Sequence, residues 1–532
     1  MQPIVYALIA ICSVAVAANA QVTTAAVSPP ADLDRFVTDV MKEFKVPGMA
    51  LAVVKDGKMI VARGYGVRAL GATATVNART RFGIASNTKI FTATALALLV
   101  EERKIEWDAP VIRYLPAFAM FDPFVTREIT IRDLLVHRSG LGLGAGDLLW
   151  WPESTYDRKE IVRRLRFIPP ATSFRSAYAY DNVLYSVAGE VIEAISGQSW
   201  EDFVSKRILG PVGMSGSNVR HSDAGSGDNL AATHAEVDGI VRKVPPMKGD
   251  NVNPAGGINS SAEDMAKWMI VQLDSGRLPG GARLFQPATT RQLWTIVTPI
   301  PAGSPPPELP FHRAVFNGYA LGMGVRDYRG TRMLSHTGGL PGYLSKVTMI
   351  PSLRLGIAVL TNQESGAAFN AISYRIVDHY MGVPSVDYLP IYRALEQRGR
   401  AGVAAAERAA SSSRDTASRP SLPLSRYAGT YSDSWYGDVV IDEAKGSAGA
   451  TGSPARLGIR FSRTPSLVGD LVHWQHDTFL ARWHDRTLRA DAYLTFALTP
   501  DGRIEQAKML PASPLVDFSF DFQDLVLKPK SR

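Results

Sequence analysis

Residues 86–100 read Ser86-Asn87-Thr88-Lys89-Ile90-Phe91-Thr92-Ala93-Thr94-Ala95-Leu96-Ala97-Leu98-Leu99-Val100. From Ile90 onward the run carries no charge and is made mostly of strong helix formers, which predicts a buried helix. Ser86 then sits at its N-terminal end. An offset of three residues places Lys89 about 60° around the helix axis and one turn along, so the two side chains can meet. A serine hydroxyl is a poor nucleophile until a base takes its proton. Lysine takes that proton only when neutral, a state favoured by burial or by neighbouring positive charge. The apolar helix helps to bury the amine, and the helix start offers free N–H groups to an oxyanion. By itself the Ser-x-x-Lys spacing fits an N-cap serine with an exposed lysine at least as well.

Two further segments give the pair a context. Tyr180-Asp181-Asn182 precedes a second apolar helical run, Val183 to Gly189. There Tyr180 can shuttle a proton and Asn182 can orient an amide. His336-Thr337-Gly338-Gly339 precedes a strand pair, Lys346 to Ile350 and Leu355 to Thr361. Its glycines let backbone approach a ligand closely. Read in isolation, the first is an ordinary loop and the second a Gly-rich turn with a solvent-facing histidine. No Gly-x-Ser-x-Gly elbow surrounds Ser86, which argues against an α/β-hydrolase.

Ordered as they are, the three segments resemble the serine β-lactamase and penicillin-binding-protein superfamily, in the branch of AmpC-type β-lactamases, D-aminopeptidases and related esterases. The resemblance covers about Leu33 to Met381. It extends to Ile129–Leu141, Ile208–Met214 and Pro254–Ser261. It implies an α+β fold, an antiparallel sheet flanked by helices with an added helical region. It also implies that Ser86 forms an acyl-enzyme and Lys89 and Tyr180 move protons. The backbone N–H groups of Ser86 and Gly339 form the oxyanion hole, and Asn182, His336, Thr337 and Gly338 hold the substrate. Whether Lys89 or Tyr180 is the primary base stays open. No cofactor and no metal is implied.

One departure bears on the substrate. β-Lactamases and transpeptidases usually carry Lys-Thr-Gly where this chain has His336-Thr337-Gly338. That lysine helps bind a substrate carboxylate, whereas a histidine of ordinary pKa is mostly neutral near pH 7. The expectation is therefore an amide hydrolase acting on linear peptides with D- or non-standard residues. The two-part layout is similar to that of family members acting on linearised microcystin. A carboxylesterase, a β-lactamase or D,D-carboxypeptidase, and a non-catalytic peptide- or peptidoglycan-binding protein are the alternatives. Trp150 and Trp151, before Pro152, are candidates for an apolar lip on the cleft, and residues 301–310 form a Pro-rich loop expected near it.

Working outward, Met49–Val54 and Met59–Ala62 flank Lys55-Asp56-Gly57-Lys58, a strong hairpin signal. Ala31 to Phe44 and about Phe369 to Met381 have helical spacing. One sheet built from both ends of a domain accounts for this layout. From Arg393 to Pro423 Arg, Ala and Ser dominate, which reads as a helical stem and linker. Beyond it, about a hundred residues rich in β-formers predict a separate all-β domain, and this region resembles the lipocalin-like domain that follows some members of the branch. The histidines of His473-Trp474-Gln475-His476 and nearby His484 lack a carboxylate partner at metal-binding spacing and read as ordinary strand or turn residues.

The N-terminus predicts export. Ile4 to Val16 is nearly all apolar, and Ala18-Asn19-Ala20 fits a signal-peptidase site. No Lys or Arg precedes the apolar run, so an uncleaved anchor is the alternative. The expected division is a signal peptide at 1–20, the hydrolase domain at 21–392, the stem and linker at 393–423 and a β-barrel-like domain at 424–532. Cys12 is the sole cysteine among 532 residues, so the mature chain has no disulfide, no thiol nucleophile and no cysteine-based metal site. A periplasmic or secreted location suits that. The formal charge is +8, but the basic residues are scattered, so a nucleic-acid partner is not expected. Neither is a stable membrane span; oligomerisation is left open.

Overall fold

The computed structural model describes residues 28–223, 229–444 and 456–530. The expected signal peptide and Cys12 lie outside the described residues. No helix among the described residues is long and apolar enough to cross a membrane.

The N-terminal part is built on one antiparallel sheet assembled from both ends of its sequence. Its strands are β1 (Gly48–Lys55), β2 (Lys58–Gly66), β3 (Thr298–Pro299), β4 (Asn317–Tyr319), β5 (Gly324–Tyr328), β6 (Thr331–Leu340), β7 (Tyr343–Ile350) and β8 (Leu355–Thr361), in the order β2-β1-β8-β7-β6-β5-β4-β3. The Asp-Gly hairpin forms as its sequence requires. Asp56 and Gly57 have φ of 51° and 74°, the positive values that a tight two-residue turn demands. All eight residues of β1 are buried, which explains why Met49–Val54 is apolar without alternation. Met49, Leu51 and Val53 pack toward α1 (Leu33–Glu43) and the C-terminal helix Gly366–Met381, while Ala50, Ala52 and Val54 face the other core.

That other core holds α2 (Lys89–Glu101), α3 (Val183–Ser196) and α4 (Ala262–Leu273). Every residue of α2 from Lys89 to Leu99 is buried, as expected of a helix that is apolar all round. The third motif is not the Gly-rich turn that it suggests in isolation. His336-Thr337-Gly338-Gly339 lies inside β6, and His336 is buried. The alternation of a strand, with Thr337 and Gly339 exposed between buried neighbours, overrides the turn propensity of the glycines.

After α5 (Gly366–Met381), the stem is a single helix, α6 (Tyr388–Ser412). The C-terminal part is an eight-stranded antiparallel sheet: β9 (Gly429–Asp433), β10 (Gly437–Ala444), β11 (Arg456–Phe461), β12 (Val468–Gln475), β13 (Thr478–Trp483), β14 (Ala492–Leu498), β15 (Ile504–Pro511) and β16 (Lys528–Pro529). The order is β15-β14-β13-β12-β11-β10-β9-β16. A bridge between Ala507 and Leu527 brings its two ends together, so the sheet is a nearly closed barrel and leaves little free edge. The barrel packs against the N-terminal part: Thr155 N donates to Arg463 O at 2.8 Å, Arg164 Nη1 to Trp435 O at 2.7 Å, and Tyr156 to the Tyr436 carbonyl.

Candidate active site

Ser86 lies on a 3-10 turn, Ala85–Thr88, that leads directly into α2. Ala85 has φ of 49°, a conformation costly for a residue with a Cβ and held only by its surroundings. Those surroundings come from the sheet. Ser345 Oγ donates to Ile84 O at 2.7 Å and Asn87 Nδ2 donates to Ser345 Oγ at 2.8 Å. Gly338 of β6 lies against the same turn, and a Cβ there would run into the Ile84 carbonyl oxygen. Gly338 is therefore the close-approach residue that lets β6 lie beside Ser86. It does not line the cleft, contrary to its expected place among the substrate contacts.

Lys89 Nζ donates to Ser86 Oγ at 3.1 Å, to Asn182 Oδ1 at 2.7 Å and to Ala255 O at 3.1 Å. It also stands 4.8 Å from the Tyr180 ring centroid and 5.0 Å from that of Tyr185. The side chain is wholly buried. Burial drives its pKa down to about 7, against an upward pull from Asp147 and Asp181. Both carboxylic acids are themselves raised by burial to about 7. The charge on Lys89 and the charges on these two carboxyl groups therefore favour one another, against the cost of burial.

Tyr180 sits on the loop before α3, with its hydroxyl buried and without a partner of hydrogen-bonding geometry among the described residues. Burial raises its pKa well above 10, and the Ser86 hydroxyl is the side chain that favours its phenolate. A tyrosine of that kind rests protonated and passes a proton only when a neighbour offers a compensating charge. Asn182 stands at the N-cap position of the same helix, where its side chain, instead of capping, bridges Lys89 to Asp147, to which its Nδ2 donates at 2.8 Å.

His336 faces this cluster from β6. Its Nε2 is 2.8 Å from the Tyr319 hydroxyl and its Nδ1 is 2.6 Å from Thr337 O. A carbonyl only accepts, so Nδ1 carries the proton and Nε2 accepts from Tyr319. Burial, then Lys89 and His137, lower its pKa to about 3. His336 is thus neutral at physiological pH. His137, buried beside Tyr180, is also neutral: burial and Lys89 hold it well below 6.5, and its Nδ1 accepts from Asp181 N at 3.2 Å.

These groups surround a cavity of about 430 Å³, lined by Ser86, Tyr180, Asn182, His336, Thr337 and Gly339 among others. Strand β6 pairs with β5 only through Thr331–Ser335, but with β7 through Leu334–Leu340. The second edge of His336–Leu340 therefore carries no ladder and borders the cavity. An extended substrate can lie along it by main-chain pairing. Ser86 and Gly339 both border the cavity, where their N–H groups can receive a developing oxyanion.

Trp150 and Trp151 line the cavity but form no projecting lip. Both are buried. Trp150 Nε1 donates to Asp147 Oδ1 at 2.8 Å, and Trp151 packs edge-on to Phe520 of the C-terminal part. The Pro-rich loop at 301–310 does not border the cavity; Ile300 does. Sequence reasoning missed Asp147, Tyr319, His137 and the C-terminal residues 517–519, which also line or support the site. Asp147 had a usable signal: it is a lone acid within the otherwise uncharged stretch Gly144 to Pro152. Among the described residues no group of histidine, cysteine and carboxylate side chains is arranged to hold a metal ion.

Comparison with known proteins places this geometry. The family described as Beta-lactamase matches residues 33–380, and a domain of unknown function, DUF3471, matches residues 413–529. The unguisins hydrolase ungD of Aspergillus violaceofuscus is 30% identical over 498 residues, covering 88% of this chain and 86% of that protein. A D-aminopeptidase of Brucella anthropi is 25% identical, covering 68% of this chain and 64% of that protein. The structure of the octameric penicillin-binding protein homologue from Pyrococcus abyssi superposes with a TM-score of 0.57 at 20% identity, covering 93% of this chain and 99% of that one. A class C β-lactamase mutant superposes with a TM-score of 0.54 at 19% identity, covering 65% of this chain and 96% of that one. The match across residues 33–380 and the near-full-length relative lead to one conclusion: this chain is a serine hydrolase belonging to the beta-lactamase family.

Proposed function

We propose that the protein is an exported amide hydrolase that cleaves linear peptides containing D- or other non-standard residues. Ser86 Oγ attacks the scissile carbonyl as its proton passes to the Lys89–Tyr180 unit. The N–H groups of Ser86 and Gly339 take the oxyanion. The C–N bond breaks as the amine leaves with the proton, and water then releases the acyl group from Ser86. The observation that carries the amide assignment is the buried Lys89 amine 3.1 Å from Ser86 Oγ, with a pKa near 7. A base of that strength is half-deprotonated at neutral pH and can return a proton to a poor amine leaving group.

The neutral His336 supports a peptide substrate without a carboxylate at the position that lysine serves in β-lactamases. Relatives named for hydrolysing unguisins and for D-aminopeptidase activity support the peptide class. Linearised microcystin is the specific candidate. The test is a panel of D-aminoacyl amides, linear peptides including linearised microcystin, short acyl esters and nitrocefin. Peptide cleavage with an acyl adduct on Ser86 supports the proposal. Ester cleavage alone points to a carboxylesterase, rapid nitrocefin turnover to a β-lactamase, and an unreactive Ser86 to a binding protein. Export is tested by N-terminal sequencing of the secreted form, which should begin at Gln21.

A further inference from the structure

A chain of buried hydrogen bonds joins the C-terminal domain to the Lys89 amine. Residues 517–522, between β15 and β16, lie against residues 144–151 of the hydrolase part. The Asp521 carboxylate accepts from Gly146 N at 2.6 Å and Leu148 N at 3.0 Å, on either side of Asp147. Ser519 Oγ donates to Asp147 Oδ2 at 2.8 Å. The same oxygen accepts from Asn182 Nδ2 at 2.8 Å, and Oδ1 accepts from Trp150 Nε1 at 2.8 Å. Asn182 must turn its amide nitrogen toward the carboxylate, so its oxygen faces Lys89, 2.7 Å away. The sequence of contacts is Ser519, Asp147, Asn182, Lys89, Ser86. Asp147, Ser519 and Asp521 are all buried.

We propose that Ser519 and Asp521 are positioning residues of the active site, holding Asp147 so that Asn182 orients Lys89 on Ser86. The inference rests on the acyl-enzyme chemistry at Ser86 and is independent of which peptide is the substrate. The hydrolase sequence does not complete its own base; the appended domain does. A buried carboxylate left short of donors takes up a proton instead of holding its neighbours. Here burial pushes Asp147 upward while the Asn182, Ser519 and Trp150 donors pull it back. The other ionisable groups facing the set are Asp181, Asp521, Tyr180, Tyr185 and the neutral His137 and His336.

Removing the Ser519 hydroxyl leaves Asp147 with two donors, so Asp147 protonates at higher pH. The Lys89 ammonium then loses a stabilising charge and deprotonates at lower pH, while Asn182 is less firmly held. The test is fluorophosphonate labelling of Ser86 in the full chain across the titration of Lys89. Three variants are compared: Ser519→Ala, Ser519→Cys, which keeps the shape with a weaker donor, and Ser519→Thr, which keeps the hydroxyl. Ser519→Ala and Ser519→Cys should lower the plateau rate roughly tenfold and move the half-rate pH downward. The KM for a short acyl ester should not change, and Ser519→Thr should behave as the parent. Labelling reads the nucleophile, so its outcome is separate from any failure to cleave peptides. A Ser519→Cys protein that melts as the parent does, yet labels with the parent's plateau and pH profile, would overturn the proposal. So would a Ser519→Thr protein as slow as Ser519→Cys.

Discussion

Lys89 Nζ stands 3.1 Å from Ser86 Oγ at the first turn of a helix in which the amine is wholly buried. Burial lowers the lysine pKa to about 7. In the proposed mechanism the serine proton passes to the Lys89–Tyr180 unit, which needs the amine neutral. Acylation should therefore fall as pH drops through about 7 and level off above it. Lys89→Arg keeps a cation that does not deprotonate; it should remove the plateau, lowering acylation on the order of a thousandfold. Stopped-flow acylation by an activated ester at several pH values measures both.

His336 accepts from Tyr319 and is neutral. His336→Lys places an amine where β-lactamases and transpeptidases carry one. Labelling of Ser86 by a carboxylate-bearing β-lactam should rise by roughly tenfold or more, since a charge-assisted contact is strengthened away from water. Cleavage of substrates without a carboxylate there should fall. Competition between a fluorescent penicillin and a neutral ester reads the exchange.

Gly338 packs against the turn that carries Ser86, with no room for a methyl group beside the Ile84 carbonyl oxygen. Gly338→Ala should push β6 away from that turn. The expected cost is about 1–3 kcal/mol of stability, with a loss of kcat because the Ser86 and Gly339 N–H groups separate. Thermal melting and steady-state kinetics check the two parts together.

Two aromatic residues at the cavity should respond differently. Trp151 is buried against Phe520, so Trp151→Ala should cost about 3–5 kcal/mol. Phe518 is 42% exposed, borders the cavity and meets the Tyr180 ring edge-on at 6.1 Å. Phe518→Ala should hardly move the melting temperature but should raise KM for substrates with bulky apolar groups. Calorimetry and a series of acyl esters of increasing size separate these effects.

The hairpin at Asp56-Gly57, the central helix and the order of the three motifs were legible because each rests on local chemistry: turn conformation, apolar continuity and spacing. The environment of His336 was not. Its burial depends on Tyr319, whose strand pairs next to β5, and no spacing rule links the two. The contribution of Ser519 and Asp521 was hidden for the same reason. Phe518-Ser519-Phe520-Asp521-Phe522 alternates like an edge strand, yet its polar positions point across a domain interface at Asp147 and its flanking amides. Long-range pairing decided both sites, and composition could not register it.

The proposed function stands on an acyl-enzyme at Ser86 formed with an amide substrate. Intact-protein mass spectrometry after rapid quenching of a linear D-residue peptide, with peptide mapping, tests it directly. One acyl mass added at Ser86 is expected, absent from Ser86→Ala and strongly reduced in Lys89→Arg. Cleavage by the parent protein that persists in Ser86→Ala, or an adduct mapped to another residue, would contradict it.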